Sequence, residues 1–271
     1  MSTDDLLDVD EMVNFACDIA RDAGKLLMSM LPLGRWSGEV EEKESRELVS
    51  RADRTSEAML VRHLEDRYPN HAIVAEEGGG SANGDAAYLW HIDPLDGTTN
   101  FLHGHPMFCV SLGAQELATG EMIAGVVYVP YLDEMFFAAR GKGSFLNSRA
   151  IRLEVSSTDD LGDALVATGF AYDRDRYRNY DNFLTMAKAS RGVRRCGAAA
   201  IDLAYVAAGR YDAFWELGLS SYDVAAGALL ITEAGGRVAD FDAGDDWLNG
   251  GHIIATNARL FDEVRERVTK G

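Results

Sequence analysis

The hydrophobic period of this 271-residue chain changes twice, and those changes constrain the fold most. Over residues 9–31, Met12, Ala16, Ile19, Ala23, Leu26, Leu27 and Met30 recur at spacings of three and four, and Pro32 follows. That period predicts an amphipathic helix. Residues 34–50 are polar and rich in Glu, and read as a loop or an exposed hairpin. A second helix is expected from a cap at Asp53, with Leu60, Leu64 and Tyr68 on one face and Pro69 at its end. Then the period shortens. Ala72–Ala75, Tyr88–Ile92, Phe108–Gln115, Ile123–Val129 and Met135–Ala139 are short apolar or alternating runs, which predict strands.

After about residue 155 the pattern becomes strand–helix alternation. Strands are expected at Ala164–Thr168, Tyr211–Glu216, Arg237–Phe241 and His252–Ala255. Helices are expected at Asn182–Ser190, Ala199–Ala208, Tyr222–Glu233 and Ala258–Val268. The class is therefore α+β passing into α/β. Ser, Thr, Asp and Gly cluster in Glu154–Asp163, which divides the chain into segments 1–155 and 156–271.

Charge and cysteine content narrow the function. There are 44 acidic residues against 26 basic ones, a net charge of -18. Such a field disfavours nucleic acid and anionic lipid as partners. Only 5 of the basic residues are Lys, and this acidic, Lys-poor balance resembles the surface of a halophilic protein, where salt screens self-repulsion. Three scattered cysteines without a CxxC pair argue against a disulfide framework or a structural zinc site, and fit a reducing cytoplasm. No apolar run reaches the roughly 18 residues of a membrane span.

The chemistry concentrates in three segments. In Trp90-His91-Ile92-Asp93-Pro94-Leu95-Asp96-Gly97-Thr98-Thr99-Asn100-Phe101, an apolar strand leads into two carboxylates three residues apart. Pro94 fixes the backbone and Gly97 permits a close turn, so Asp93 and Asp96 are able to face one crevice. Converging carboxylates repel unless protons or cations offset them, and hard oxygen donors favour Mg²⁺ or Mn²⁺. The Leu95 carbonyl and the Thr98 and Thr99 hydroxyls add oxygen donors, and the Gly97 and Thr98 N–H groups are able to meet a phosphate. As a bare Asp-Pro-x-Asp-Gly turn, the same residues need only conformational reasons. Glu76-Glu77 follows a short strand and precedes Gly78–Gly80. Asp223, in Ser221-Tyr222-Asp223-Val224-Ala225-Ala226-Gly227, opens a helix, where capping alone also accounts for it.

Together the three segments, with Glu233-Ala234-Gly235-Gly236 behind the third, resemble the inositol monophosphatase family of metal-dependent phosphomonoesterases. The order and spacing agree over nearly the whole chain. Two departures stand out: Tyr222 replaces the usual Trp, and Gly78–Gly80 replaces the Ser or Thr that commonly follows the Glu pair. The resemblance implies a layered αβαβα sugar-phosphatase fold with two sheets. It implies that Glu76, Asp93 and the Leu95 carbonyl hold one Mg²⁺, that Asp93 bridges to a second held by Asp96 and Asp223, and that a third lies near Glu76 and Glu77. Mn²⁺ would substitute. Thr98 and Glu76 would orient the attacking water, with Asp53 assisting Thr98.

The resemblance also assigns substrate contacts to Asp96, Gly97, Thr98, Gly197, Ala198, Ala199, Glu216 and Asp223. Ala198 stands where Thr or Ser is common. Arg191, Arg194 and Arg195 form a cluster suited to a second phosphate, to a subunit contact, or simply to a solvated helix end. Inositol 1-phosphate is the implied substrate and a homodimer the implied assembly. Fructose 1,6-bisphosphate is the main alternative, followed by 3′-nucleotides, histidinol phosphate, and a non-catalytic regulatory protein that kept the fold.

Overall fold

A computed structural model describes residues 8–31, 40–42, 48–81, 83–173 and 175–268. The first helix, α1 (Val9–Met30), buries Met12, Val13, Ala16, Ile19, Ala20, Ala23 and Leu27, the face that its period predicts. Most of the expected loop or hairpin at 34–50 lies outside the described residues. Its described parts, β1 (Val40–Glu42) and β2 (Leu48–Ser50), pair antiparallel. Helix α2 (Arg51–Arg67) begins earlier than a cap at Asp53 would allow, which corrects that expectation. Ser50 is the cap, and Asp53 sits three residues in, reaching back to the Ser50 N–H at 2.8 Å to close a capping box.

Seven strands follow in one sheet: β3 (Ala72–Ala75), β4 (Tyr88–Asp96), β5 (Cys109–Glu116), β6 (Glu121–Val129), β7 (Glu134–Ala139), β8 (Gly143–Leu146) and β9 (Ser148–Arg152). They lie side by side in chain order. Only β3 and β4 are parallel; every later pair is antiparallel. Strand β4 does not stop before Pro94, as expected, but runs on to Asp96 across a register shift between Asp93 and Asp96. The bulge absorbs the missing proline N–H and re-aims the side chains around it. A short helix, α3 (Thr98–Leu102), follows directly.

The second sheet has the order β11-β10-β12-β14-β13, with β10 (Leu165–Thr168), β11 (Gly192–Arg194), β12 (Ala213–Leu217), β13 (Arg237–Ala239) and β14 (His252–Thr256). Between strands run α4 (Tyr180–Ala189), α5 (Ala199–Ala207), α6 (Ser221–Glu233) and, last, α7 (Phe261–Arg267). The final helix and β13 are shorter than their periodic runs suggested.

Three clusters of buried side chains define the layers. One joins α1 and α2 to one face of the seven-stranded sheet. A second joins that sheet's other face to α5, α6, β12 and β14. A third lies between the outer face of the five-stranded sheet and α4 and α7. The order is thus helix, sheet, helix, sheet, helix. Over Val224–Ile231 helix α6 is apolar on all sides because it is covered on all sides. Its approach to the large sheet requires glycine. A Cβ on Gly113 would stand 2.8 Å from the Ala225 Cβ, and one on Gly125 would stand 2.8 Å from the Ala226 carbonyl oxygen. This packing brings the start of α6 to the end of β4.

Candidate active site

Parallel pairing sets the first contact of the site. Ala75 is in register with Ile92, and the Glu76 N–H donates to the Ile92 carbonyl at 3.2 Å. The next residues on the two strands, Glu76 and Asp93, therefore emerge side by side. Asp93 is buried, and its Oδ1 accepts the Leu95 N–H at 3.0 Å across the bulge. Asp96 reaches the start of α5. Its Oδ2 accepts the Ala200 N–H at 2.8 Å and faces the Cys109 thiol at 3.7 Å. Gly97 then turns with φ 91°, and a Cβ there would lie 2.8 Å from the Met107 carbonyl oxygen. The turn delivers Thr98 to a buried position, where its hydroxyl lies 2.8 Å from Asp53 Oδ1 and 3.2 Å from the Leu95 carbonyl.

Asn100, on α3, ties this segment to the second half of the chain. Its amide donates to the Met107 carbonyl at 2.6 Å and to the Cys196 carbonyl at 2.8 Å. That fixes the loop Cys196-Gly197-Ala198, where Gly197 has φ 87°. At the start of α6 the capping box of α2 recurs: Asp223 is three residues beyond Ser220 and accepts its N–H at 2.7 Å. Glu216, near the end of β12, is buried against Gly169, where a Cβ would stand 2.1 Å from its carboxylate oxygens.

These segments enclose a cavity of about 180 Å³. Its wall carries Glu76, Asp93, Leu95, Asp96, Gly97, Thr98, Gly197, Ala198, Ala199, Glu216 and Asp223 from the sequence-derived set. Asp53 lies behind Thr98 rather than on the wall, and Glu77 stands outside the wall in the loop after β3. Of the arginine cluster, only Arg195 reaches the cavity. Arg191 pairs with Asp163 and Arg194 donates to its neighbour's carbonyl, on Val193.

Sequence reading missed Asp202. It sits in α5, is 1% exposed, lines the cavity, and its Oδ1 has no hydrogen-bond partner among the described residues. The available signal was a lone charge inside the apolar run Ala199–Ala207. Phe170 and Tyr172, also on the wall, carried no motif.

Among the described residues, the wall thus holds six carboxylates (Glu76, Asp93, Asp96, Asp202, Glu216 and Asp223) against one guanidinium, Arg195. Burial pushes Asp93 well above the usual carboxylate range, and the charges of Glu76, Asp96 and Asp223 push it further. Burial lifts Asp96 to about 6 although the Ala200 N–H opposes it. Burial also raises Asp202 and Glu216 well above their ordinary values. Such a cavity binds protons or cations. All its donors are hard oxygens, which fits Mg²⁺ or Mn²⁺. Among the described residues, no three His, Cys, Asp or Glu side chains are already drawn together closely enough to hold an ion by themselves. The Leu95 carbonyl is a further donor in the sequence-derived set.

Residues 8–270 match the model of the inositol monophosphatase family. A relative named Nus factor SuhB, from Pseudomonas aeruginosa, is 48% identical, covering 92% of this chain and 93% of its own. An inositol-1-monophosphatase from Synechocystis is 41% identical, covering 96% and 89%. Among solved structures, an inositol monophosphatase from Anabaena superposes with a TM-score of 0.85 at 40% identity, covering 96% of this chain and 95% of the other. The extragenic suppressor protein suhB from Bartonella henselae superposes at 0.88 with 37% identity, covering 96% and 99%. Among the described residues, no helix is long and apolar enough to cross a membrane. With its two sheets, its layered helices and these relatives, the chain belongs to the inositol monophosphatase family, a family of phosphomonoesterases.

Proposed function

We propose that the chain is a Mg²⁺-dependent phosphomonoesterase whose principal substrate is inositol 1-phosphate. The observation that carries this reading is the wall of six carboxylates facing one guanidinium. An anionic ester enters such a cavity only with cations between it and the wall. Glu76, Asp93 and the Leu95 carbonyl would hold one ion. Asp93, Asp96 and Asp223 would hold a second, and Glu76 with Glu77 a weaker third. When bound, the cations neutralise the ester, lower the pKa of a water and stabilise the leaving oxygen.

The chain's own groups do the rest. Thr98 commits its proton to Asp53 Oδ1 at 2.8 Å, which leaves its oxygen free to accept from a water. Thr98 and Glu76 together orient that water for in-line attack on phosphorus. Asp53 is held by Ser50 on its other oxygen, so it fixes the Thr98 rotamer. The N–H groups of Gly97 and Thr98 meet the phosphate. Gly197, Ala198 and Ala199 form the wall against the alcohol, and Glu216 accepts its hydroxyls. With apolar Ala198 in place, Glu216 carries more of that recognition.

Arg195 favours a second substrate, fructose 1,6-bisphosphate, because among the described residues it is the one cation of the wall and would face a distal phosphate. The relatives named Nus factor SuhB support a different class, an interaction protein that kept the fold. Phosphate release with Mg²⁺, measured on inositol 1-phosphate, fructose 1,6-bisphosphate, a 3′-nucleotide and histidinol phosphate, separates these readings. Fastest turnover of inositol 1-phosphate is expected. No turnover of any of the four leaves the interaction role.

A further inference from the structure

Helix α2 buries a polar stripe. Asp53, Ser56 and Glu57, at positions i, i+3 and i+4, are 0%, 0% and 4% exposed. A core-facing stripe at this spacing is ordinarily apolar, and each buried polar group costs stability unless it is bonded. All three are bonded, and to three different segments of the cavity. Asp53 accepts from the Thr98 hydroxyl. Ser56 donates to the Pro94 carbonyl at 2.9 Å. Glu57 accepts the Glu77 N–H on Oε2 at 2.7 Å and the Gly79 N–H on Oε1 at 2.8 Å. One helix face therefore sets the loop after β3, the bulge of β4 and the start of α3 against one another.

Glu57 also bears on one of the three glycines that follow the Glu pair. Gly78 has φ 89° with nothing near its missing Cβ, so it answers a conformational demand. Gly79 has no such φ, but a Cβ there would stand 2.7 Å from Glu57 Oε1. Gly80 returns the chain onto β3, where a Cβ would stand 2.4 Å from the Ile73 carbonyl oxygen. The middle glycine is there to admit the Glu57 carboxylate.

We propose that Glu57 is a positioning residue for cation binding: its carboxylate grips two N–H groups of the loop that carries Glu76 and Glu77 and fixes that loop before a cation arrives. The proposal rests on the metal-dependent phosphatase reading. Hydrogen bonds to a carboxylate are about twice as strong as neutral ones, and a loop ordered beforehand does not lose its freedom at the moment of binding.

The test uses the full chain and two variants. Glu57→Gln keeps the shape but presents an amide NH₂ to one of the two donors. Gly79→Ala leaves Glu57 in place and sets a methyl against its Oε1. Amide exchange in metal-free protein reads the grip directly. Each variant is expected to exchange the Glu77 or Gly79 N–H at least about tenfold faster, with the core strands unchanged. Calorimetric titration with Mg²⁺ is expected to show about tenfold weaker binding, while kcat at saturating Mg²⁺ falls less than about threefold. The double variant is expected to be no worse than the poorer single one, because both break one contact. Unchanged exchange at both amides overturns the grip. Faster exchange with wild-type Mg²⁺ affinity overturns the positioning role, and leaves a loop contact that matters only to the fold. A wild-type protein that neither binds Mg²⁺ nor releases phosphate removes the phosphatase reading, and the cation role of Glu57 with it.

Discussion

Removing one carboxylate from the cavity is expected to stabilise the metal-free protein and to weaken the metal-loaded one. Asp96 allows the magnitude to be worked out. Burial lifts its carboxyl from the ordinary 3.8 to about 6. Between those values the folded chain binds more protons than the unfolded chain, so stability falls as pH rises. A gap of about 2 units at about 1.4 kcal/mol each comes to roughly 3 kcal/mol. That contribution is fully present below about pH 4 and lost above about pH 6. Asp93, Asp202 and Glu216 are displaced in the same direction and steepen the fall.

Asp96→Asn carries no such titration, and its amide oxygen retains the Ala200 N–H bond. In chelator at pH 7 the variant is expected to be more stable by up to about 3 kcal/mol, or roughly 6–12 °C in Tm at about 2–4 °C per kcal/mol. At about pH 3.5 the two proteins are expected to coincide. Saturating Mg²⁺ is expected to reverse the order, because only the wild type gains fully from ligand linkage. Urea denaturation followed by circular dichroism, from about pH 3.5 to 8, in chelator and in Mg²⁺, measures each term. A variant no more stable than wild type at pH 7 in chelator, or a gap that persists in acid, refutes the reasoning.

Three other outcomes are expected. Thr98→Val keeps the shape of a buried side chain but removes the hydroxyl that Asp53 orients, so kcat is expected to fall about 100-fold, the scale of one preorganised contact; calorimetry is expected to give unchanged Mg²⁺ affinity, and wild-type turnover would exclude Thr98 from orienting the water. The net charge of -18 repels itself, and screening shortens its reach from about 8 Å at physiological ionic strength to about 3 Å at 1 M. The melting temperature is therefore expected to rise from about 0.1 to 2 M KCl in calorimetry; a flat curve would end the halophilic reading. Light scattering is expected to give about twice the chain mass of 29.6 kDa, and the chain mass itself would exclude the homodimer.

The elements that could be read in the sequence are those whose burial is one-sided or complete over several turns or residues. Helix α1 presents one apolar stripe, and strands β5, β6 and β7 are nearly continuous apolar runs. Strand β9 is exposed at every position, so it has no alternation to detect. Strand β11 spans three residues and helix α3 five, too few for a period. At β4, Pro94 signalled an end, but the bulge carried the strand past it. The cap of α2 was readable as Ser50 with Asp53 three residues on, a pair that assigning the cap to Asp53 passed over.

At the site, the carboxylates at strand ends were legible because chain direction alone sends Asp93 and Glu76 outward together. Asp202 and Glu57 were not. Each is an acidic residue inside a helix, and only tertiary packing determines whether such a residue faces water, a cavity or a loop. In the sequence the Gly78–Gly80 run reads only as the loss of the family's usual Ser or Thr. Its middle residue instead makes room for Glu57.

The central claim is that the acidic wall works only through cations. Phosphate release from inositol 1-phosphate, measured on chelated protein, after Mg²⁺ is restored, and on Asp93→Asn at saturating Mg²⁺, tests it most directly. Asp93 is the carboxylate that Glu76, Asp96 and Asp223 all act upon. The expected result is no release in chelator, full recovery with Mg²⁺, and turnover at least about 100-fold lower in Asp93→Asn. Release that survives exhaustive chelation, or near wild-type turnover by Asp93→Asn, would contradict the account.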